Sequence, residues 1–175
     1  LNAGAHVRYF DHHFAADVPA HDKLEKHLDA DPELCTSLLM DRHLGGRFRS
    51  WALVGAYGDN LGSVADELAL ASGFDATQRT KLRQLGEAIN YNAYGDSPSD
   101  VCIAPRALYA LMARHADPLQ MLAHEPVVDV ILRRRLSGIL SGAGDFEVLG
   151  EAGSAAEGLG LVTRGPQLAL VDLGL

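Results

Sequence analysis

Apolar and polar positions change their spacing several times along this chain, and each change marks an element. His6-Val7-Arg8-Tyr9-Phe10 is short, aromatic and β-branched, which predicts a strand entering a sheet. From Phe14 to Ala30 polar residues dominate and Pro19 breaks any period, so a surface connection with at most a helical turn is expected. Asp31-Pro32-Glu33 reads as a helix start, with an acid at the N-cap, proline at the first helical position and a glutamate near the positive helix end. Leu34, Leu38, Leu39 and Leu44 then form a stripe at helical spacing, which Gly45-Gly46 closes.

The helical period resumes from Arg47 to Gly58, with Trp51, Ala52 and Val54 on the inner face and Gly55 allowing close packing. Leu61 to Ser72 predicts a third helix, closed by Gly73. Asp75 caps a fourth, running to about Asn90 with Leu82, Leu85 and Ile89 on one face. Turn residues make Asn90 to Pro98 a loop, and Pro105 opens another helix carrying Leu108, Leu111 and Met112. After about His124 the composition shifts, for nine of the 18 glycines fall between Gly138 and Gly174. Phe146 to Gly150 and Leu168 to Asp172 are strand candidates there, with Ser154 to Arg164 helical between them. That alternation predicts parallel strands joined by a right-handed crossover.

Composition narrows the class. With 175 residues, 47% of them apolar and 22% charged, and a mean hydropathy of +0.01, the chain fits one folded domain or parts of two. A formal charge of −8 and a pI near 5.4 exclude strong nonspecific nucleic-acid binding, which needs clustered cations. No apolar run approaches the roughly 20 residues that span a bilayer. No signal-like segment opens the chain, which starts at Leu1 instead of Met and suggests a sequence beginning mid-gene. Cys35 and Cys102 stand far apart, which argues against a disulfide scaffold or a cysteine-rich zinc site. A cytoplasmic location is the expectation.

The chemistry gathers at Asp11-His12-His13, directly behind the first strand, and at Gly55-Ala56-Tyr57-Gly58-Asp59-Asn60, where a small-residue helix ends in a second carboxylate. Carboxylates with imidazoles suit hard divalent ions such as Mn²⁺ or Mg²⁺, and such ions activate water and neutralise phosphoryl oxygens. His6 is expected in the strand, and His21, His27 and His43 at exposed helix or loop positions. His115 and His124 are expected near helix C-termini, and none of these six is assigned to metal.

In order and spacing, these segments resemble motifs III and IV of the DHH phosphoesterase superfamily, which includes RecJ-type exonucleases and family II pyrophosphatases. The likeness covers about Leu1 to His124 and includes the hydroxyl-bearing start of the intervening helix, Cys35-Thr36-Ser37, and the phrase Gly86 to Gly95. It implies a parallel-sheet, Rossmann-like α/β domain rich in helices over residues 1–124, corresponding to the C-terminal part of the DHH domain. It implies Asp11, His12 and Asp59 at a Mn²⁺ (or Mg²⁺) centre, with His12 and Asp59 as direct ligands and Asp11 orienting a histidine or the metal shell. His13 would face the substrate phosphate as donor or acid. The implied function is divalent-metal-dependent hydrolysis of a phosphoester or nucleotide substrate. The family's upstream Asp motifs lie ahead of DHH and are expected to be missing here, so an incomplete, inactive site is expected.

Residues 125–175 resemble the receiver domain of LuxR/NarL-type response regulators, a flavodoxin-like (βα) fold. Leu136 to Leu140 corresponds to its first helix, and Pro166 to Leu173 to the strand carrying the phosphoacceptor, here Asp172. The acidic pair that holds Mg²⁺ in that family aligns with Val127 and Val128. The alternative function is thus a phosphorelay module receiving phosphate from a histidine kinase, and a second alternative is an inactive or chimeric fragment. No membrane partner is expected, and self-association is left open.

Overall fold

The computed structural model describes residues 1–14, 18–93 and 101–133, and over these the chain is mixed α/β. Strand β1, Val7–Asp11, pairs in parallel with β2, Leu24–Leu28, in the register Val7↔Leu24 through Asp11↔Leu28. Both strands therefore end at the same edge, the end at which open parallel sheets collect ligands. Six helices with both ends among the described residues follow: α1 Thr36–His43, α2 Arg49–Gly58, α3 Gly62–Ala71, α4 Ala76–Ala93, α5 Pro105–Met112 and α6 Pro118–His124.

Strand β2 replaces the surface connection expected between Phe14 and Ala30. Its sequence, Leu-Glu-Lys-His-Leu, lacks the β-branched and aromatic residues that mark a strand. Charged residues of this kind are common on a sheet edge, where they discourage further pairing. His27 accordingly lies on a strand, and His6 just ahead of one. Helix α1 also begins later than Asp31-Pro32-Glu33 suggests. The Asp31 carboxylate accepts from the Glu33 N–H at 2.9 Å and shapes a turn, and the helix starts beyond it with Cys35 at the N-cap. A short polar side chain closes such a turn as readily as it caps a helix. Helix α4 runs on to Ala93, so the expected loop from Asn90 begins inside it. Helix α6 is additional to the elements expected, opened by Pro118 behind Asp117, whose carboxylate accepts from the Leu119 N–H.

Elsewhere the sequence signals act as read. Asp75 and Gln78 form a reciprocal capping box at the start of α4, at 2.8 and 2.9 Å. Gly45, Gly46 and Gly73 end their helices at positive φ of 60°, 77° and 82°.

The core lies where α2 meets α4. Leu53 and Ala56 from α2 and Leu82, Leu85 and Ala88 from α4 are fully buried. The two helix backbones nearly touch, for a Cβ built on Gly58 would sit 2.9 Å from the Gly86 carbonyl oxygen. Helix α1 packs on α2 with Gly55 against the Ser37 side chain. Polar anchors fix the remainder. Buried Asp41 on α1 binds Arg49 on α2 at 3.1 Å, and Tyr57 on α2 donates to Asp66 on α3 at 2.8 Å. Burial and the Asp66 carboxylate push the Tyr57 hydroxyl up to about 12. Trp51 donates its indole N–H to the His115 carbonyl at 3.0 Å. Asn92 exchanges two hydrogen bonds with the Ile103 backbone, at 2.8 and 2.9 Å.

The chain divides into two compact units, Leu1–Val128 and Asp129–Leu175. The elements named above belong to the first. The strand candidates at Phe146 to Gly150 and Leu168 to Asp172, the helix expected at Ser154 to Arg164 and the Asp172 site lie outside the described residues. No helix among the described residues is long and apolar enough to cross a membrane.

Candidate metal centre

Asp11 is the last residue of β1, so His12 and His13 leave the sheet at its C-terminal edge. Thr36, the first residue of α1, approaches His12 from one side, and Asp59, the C-cap of α2, from the other. The four residues singled out by sequence thus fall into one neighbourhood, linked in two pairs.

The first pair is His12 with Asp59, whose Nε2 and Oδ2 atoms stand 3.3 Å apart. The Thr36 backbone N–H donates to His12 Nδ1 at 3.2 Å, and the Thr36 hydroxyl lies 2.9 Å from the same nitrogen. With the backbone donor engaged, Nδ1 keeps its lone pair and the imidazole proton sits on Nε2, facing Asp59. The hydroxyl permits the opposite tautomer. If Thr36 Oγ1 accepts from Nδ1–H, Nε2 is freed to bind a cation.

The second pair is Asp11 with His13. Asp11 Oδ1 accepts from the His13 backbone N–H at 3.0 Å and lies 2.8 Å from His13 Nδ1, while Oδ2 accepts from the Tyr9 hydroxyl at 2.6 Å. These donors, Tyr9 first, hold the Asp11 carboxyl well below the usual carboxylate range. The same bond raises the Tyr9 hydroxyl. Asp11 is therefore an anion that fixes the His13 ring. With Nδ1 directed at Asp11, the His13 Nε2 is left for a ligand, on a side chain 76% exposed. The His12 and His13 rings lie 4.1 Å apart, centroid to centroid.

One ligand atom from each of Asp11, His12 and His13 can be chosen so that all lie within 4.8 Å of one another. Around one octahedral ion with bonds of about 2.1 Å, ligand atoms sit at most about 4.2 Å apart. Carboxylate and imidazole donors suit a divalent cation, and small side-chain rotations close the remaining gap. Beside Asp59, the start of α3 borders an open groove lined by Asn60, Gly62, Ser63, Asp66 and Arg83. Arg83 is held there by Asp66 at 2.6 Å.

A second cluster was missed in the sequence. Glu25 and His27 on β2 meet His43 in the last turn of α1. Its signal was the Glu-x-His spacing, which puts both side chains on one strand face once β2 is recognised as a strand. Compared with protein-family models, curated proteins and solved structures, the chain matches none of them.

Proposed function

We propose that this chain carries a divalent-metal site of a DHH-type phosphoester hydrolase. The observation that carries the reading is the meeting of His12 with Asp59 at 3.3 Å, beside an Asp11–His13 pair at the C-terminal edge of parallel strands. His12 Nε2 and Asp59 Oδ2 would hold Mn²⁺ or Mg²⁺, with Asp11 keeping His13 in place. Such an ion supplies charge for the phosphoryl oxygens and lowers the pKa of a bound water. The residues do the remainder. Thr36 sets the His12 tautomer, Asp11 fixes one nitrogen of His13, and His13 presents the other to the substrate phosphate as hydrogen-bond donor. The groove beside Asp59 gives an anionic ester room to lie against the start of α3. The substrate class is a phosphodiester or nucleotide.

Calorimetric titration with Mn²⁺ tests the reading. The parent is expected to bind at least about tenfold more tightly than a His12→Ala, Asp59→Ala double variant, the scale on which losing metal-site partners acts. Equal affinities, with both proteins folded by circular dichroism, would remove the site.

A further inference from the structure

We propose that Glu25, His27 and His43 form a second cation site, one that takes a borderline transition ion such as Zn²⁺. It lies on the face of the strand pair turned away from Tyr9 and Asp11, and it does not depend on the hydrolase reading. Side chains alternate along each strand, so Arg8 and Phe10 on β1 share that face with Glu25 and His27, their registered partners on β2.

The chemistry of the donors decides the ion. Two imidazoles and a carboxylate form the ligand set found around zinc with one position open. Distances are compatible. Glu25 Oε1 and His27 Nε2 stand 2.7 Å apart, and ligand atoms from all three residues can be chosen within 4.8 Å of one another. In a tetrahedral site with bonds near 2.0 Å, ligand atoms are about 3.3 Å apart. The closer pair must open by roughly half an ångström and the wider contacts close by at most about 1.5 Å, rotations open to partly exposed side chains.

The rings are already arranged. Phe10 stacks on His27 at 4.3 Å with planes 3° apart, and meets His43 edge-on at 5.0 Å. The two imidazoles stand 4.9 Å apart. Among the described residues the His43 ring nitrogens make no hydrogen bond, so its lone pair is available. His43 also stands at the negative end of α1, where a cation is favoured. Arg8 takes the other carboxylate oxygen, Oε2, at 2.7 Å. It holds Glu25 from behind, as outer partners of a ligating carboxylate do, and leaves Oε1 facing the imidazoles. An ordinary surface ion pair explains Arg8 with Glu25. It does not explain why one phenyl ring gathers two imidazoles around the same carboxylate.

The test titrates the full chain with Co²⁺, read by its visible ligand-field bands, and with Zn²⁺ by calorimetry. Three proteins are compared: the parent, a His27→Phe, His43→Gln variant and the His12→Ala, Asp59→Ala variant. His27→Phe keeps the stacked ring and removes the ligand, so loss of binding is not loss of packing. The expected result is intense four-coordinate Co²⁺ bands in the parent and in the His12, Asp59 variant. They should vanish in the His27, His43 variant, whose Zn²⁺ affinity should fall by more than about a hundredfold. Bands and affinity unchanged in that variant would overturn the proposal, as would their loss in the His12, Asp59 variant alone. A Glu25→Gln variant provides a check that leaves both imidazoles in place. It should retain the protein's circular dichroism and weaken Zn²⁺ binding, and an unaltered affinity would also count against the site.

Discussion

At the scale of single residues, the tripeptide at the end of β1 is held in two couples, Asp11 with His13 and His12 with Asp59. Both Asp11 oxygens are engaged, Oδ2 by the Tyr9 hydroxyl and Oδ1 by His13, so Asp11 fixes the His13 ring. Thr36 offers its backbone N–H and its hydroxyl to the same His12 nitrogen, so either His12 tautomer has a partner there. Thr36→Val keeps the shape and the backbone donor but removes the acceptor, which leaves the His12 proton on Nε2 opposite Asp59. Mn²⁺ affinity should then fall by about ten- to a hundredfold, the usual effect of losing a partner behind a ligating histidine. Thr36→Ser should restore it. Calorimetry on both variants checks this, and equal loss in Thr36→Ser would show that the methyl group and not the hydroxyl matters. That these four residues meet was legible because the motifs are local: Asp-His-His at a strand end and Asp59 at a helix end are visible as text. The Glu25, His27 and His43 cluster was not. It needs a strand of low β-propensity to exist before Glu25 and His27 share a face.

Among elements, the contact of α2 with α4 governs where Asp59 sits, because Asp59 caps α2. That contact is close enough to forbid side chains at its centre. A Cβ on Gly86 would press on the Val54 carbonyl oxygen, and would stand 2.8 Å from the Gly58 nitrogen and 3.0 Å from the Tyr57 Cβ. Two effects of Gly86→Ala compete. Alanine favours the α4 helix by about 1 kcal/mol. Overpacking against backbone, which cannot turn aside as a flexible side chain can, costs about 1–3 kcal/mol. The clash should win, because the atoms it meets are mostly backbone, with a net loss of up to roughly 2 kcal/mol in chemical denaturation. A variant as stable as the parent would mean that the helices slide apart freely. Most helices were legible from apolar period and punctuation, as at Asp75 with Gln78 and at Gly73. Each misplacement has its own cause. Asp31 forms a side-chain turn that looks, residue by residue, like a cap, and β2 gains its strand conformation from pairing with β1 and not from its own preference.

For the whole molecule, the charge of −8 sets a condition on any phosphoester function. A chain of that charge repels polyanions at long range, and among the described residues Arg83, the cation lining the groove beside Asp59, is already held by Asp66. Attraction for a phosphate must therefore come from the metal. Binding of a slowly hydrolysed phosphodiester analogue is accordingly expected only when Mn²⁺ is present. Equilibrium dialysis should show retention of the analogue with the ion and none after chelation. Turnover of a nitrophenyl phosphodiester by this chain should stay low even with Mn²⁺. Among the described residues, His12, Asp59 and their neighbours would furnish ligands for one ion, which lacks the second half of a clamp on both the attacking and the leaving oxygen. The residual rate should fall further in His13→Ala, which removes the donor proposed to face the phosphate while leaving His12 and Asp59 intact. Retention of the analogue after chelation, at the affinity seen with Mn²⁺, would place anion binding elsewhere on the surface and separate it from this centre.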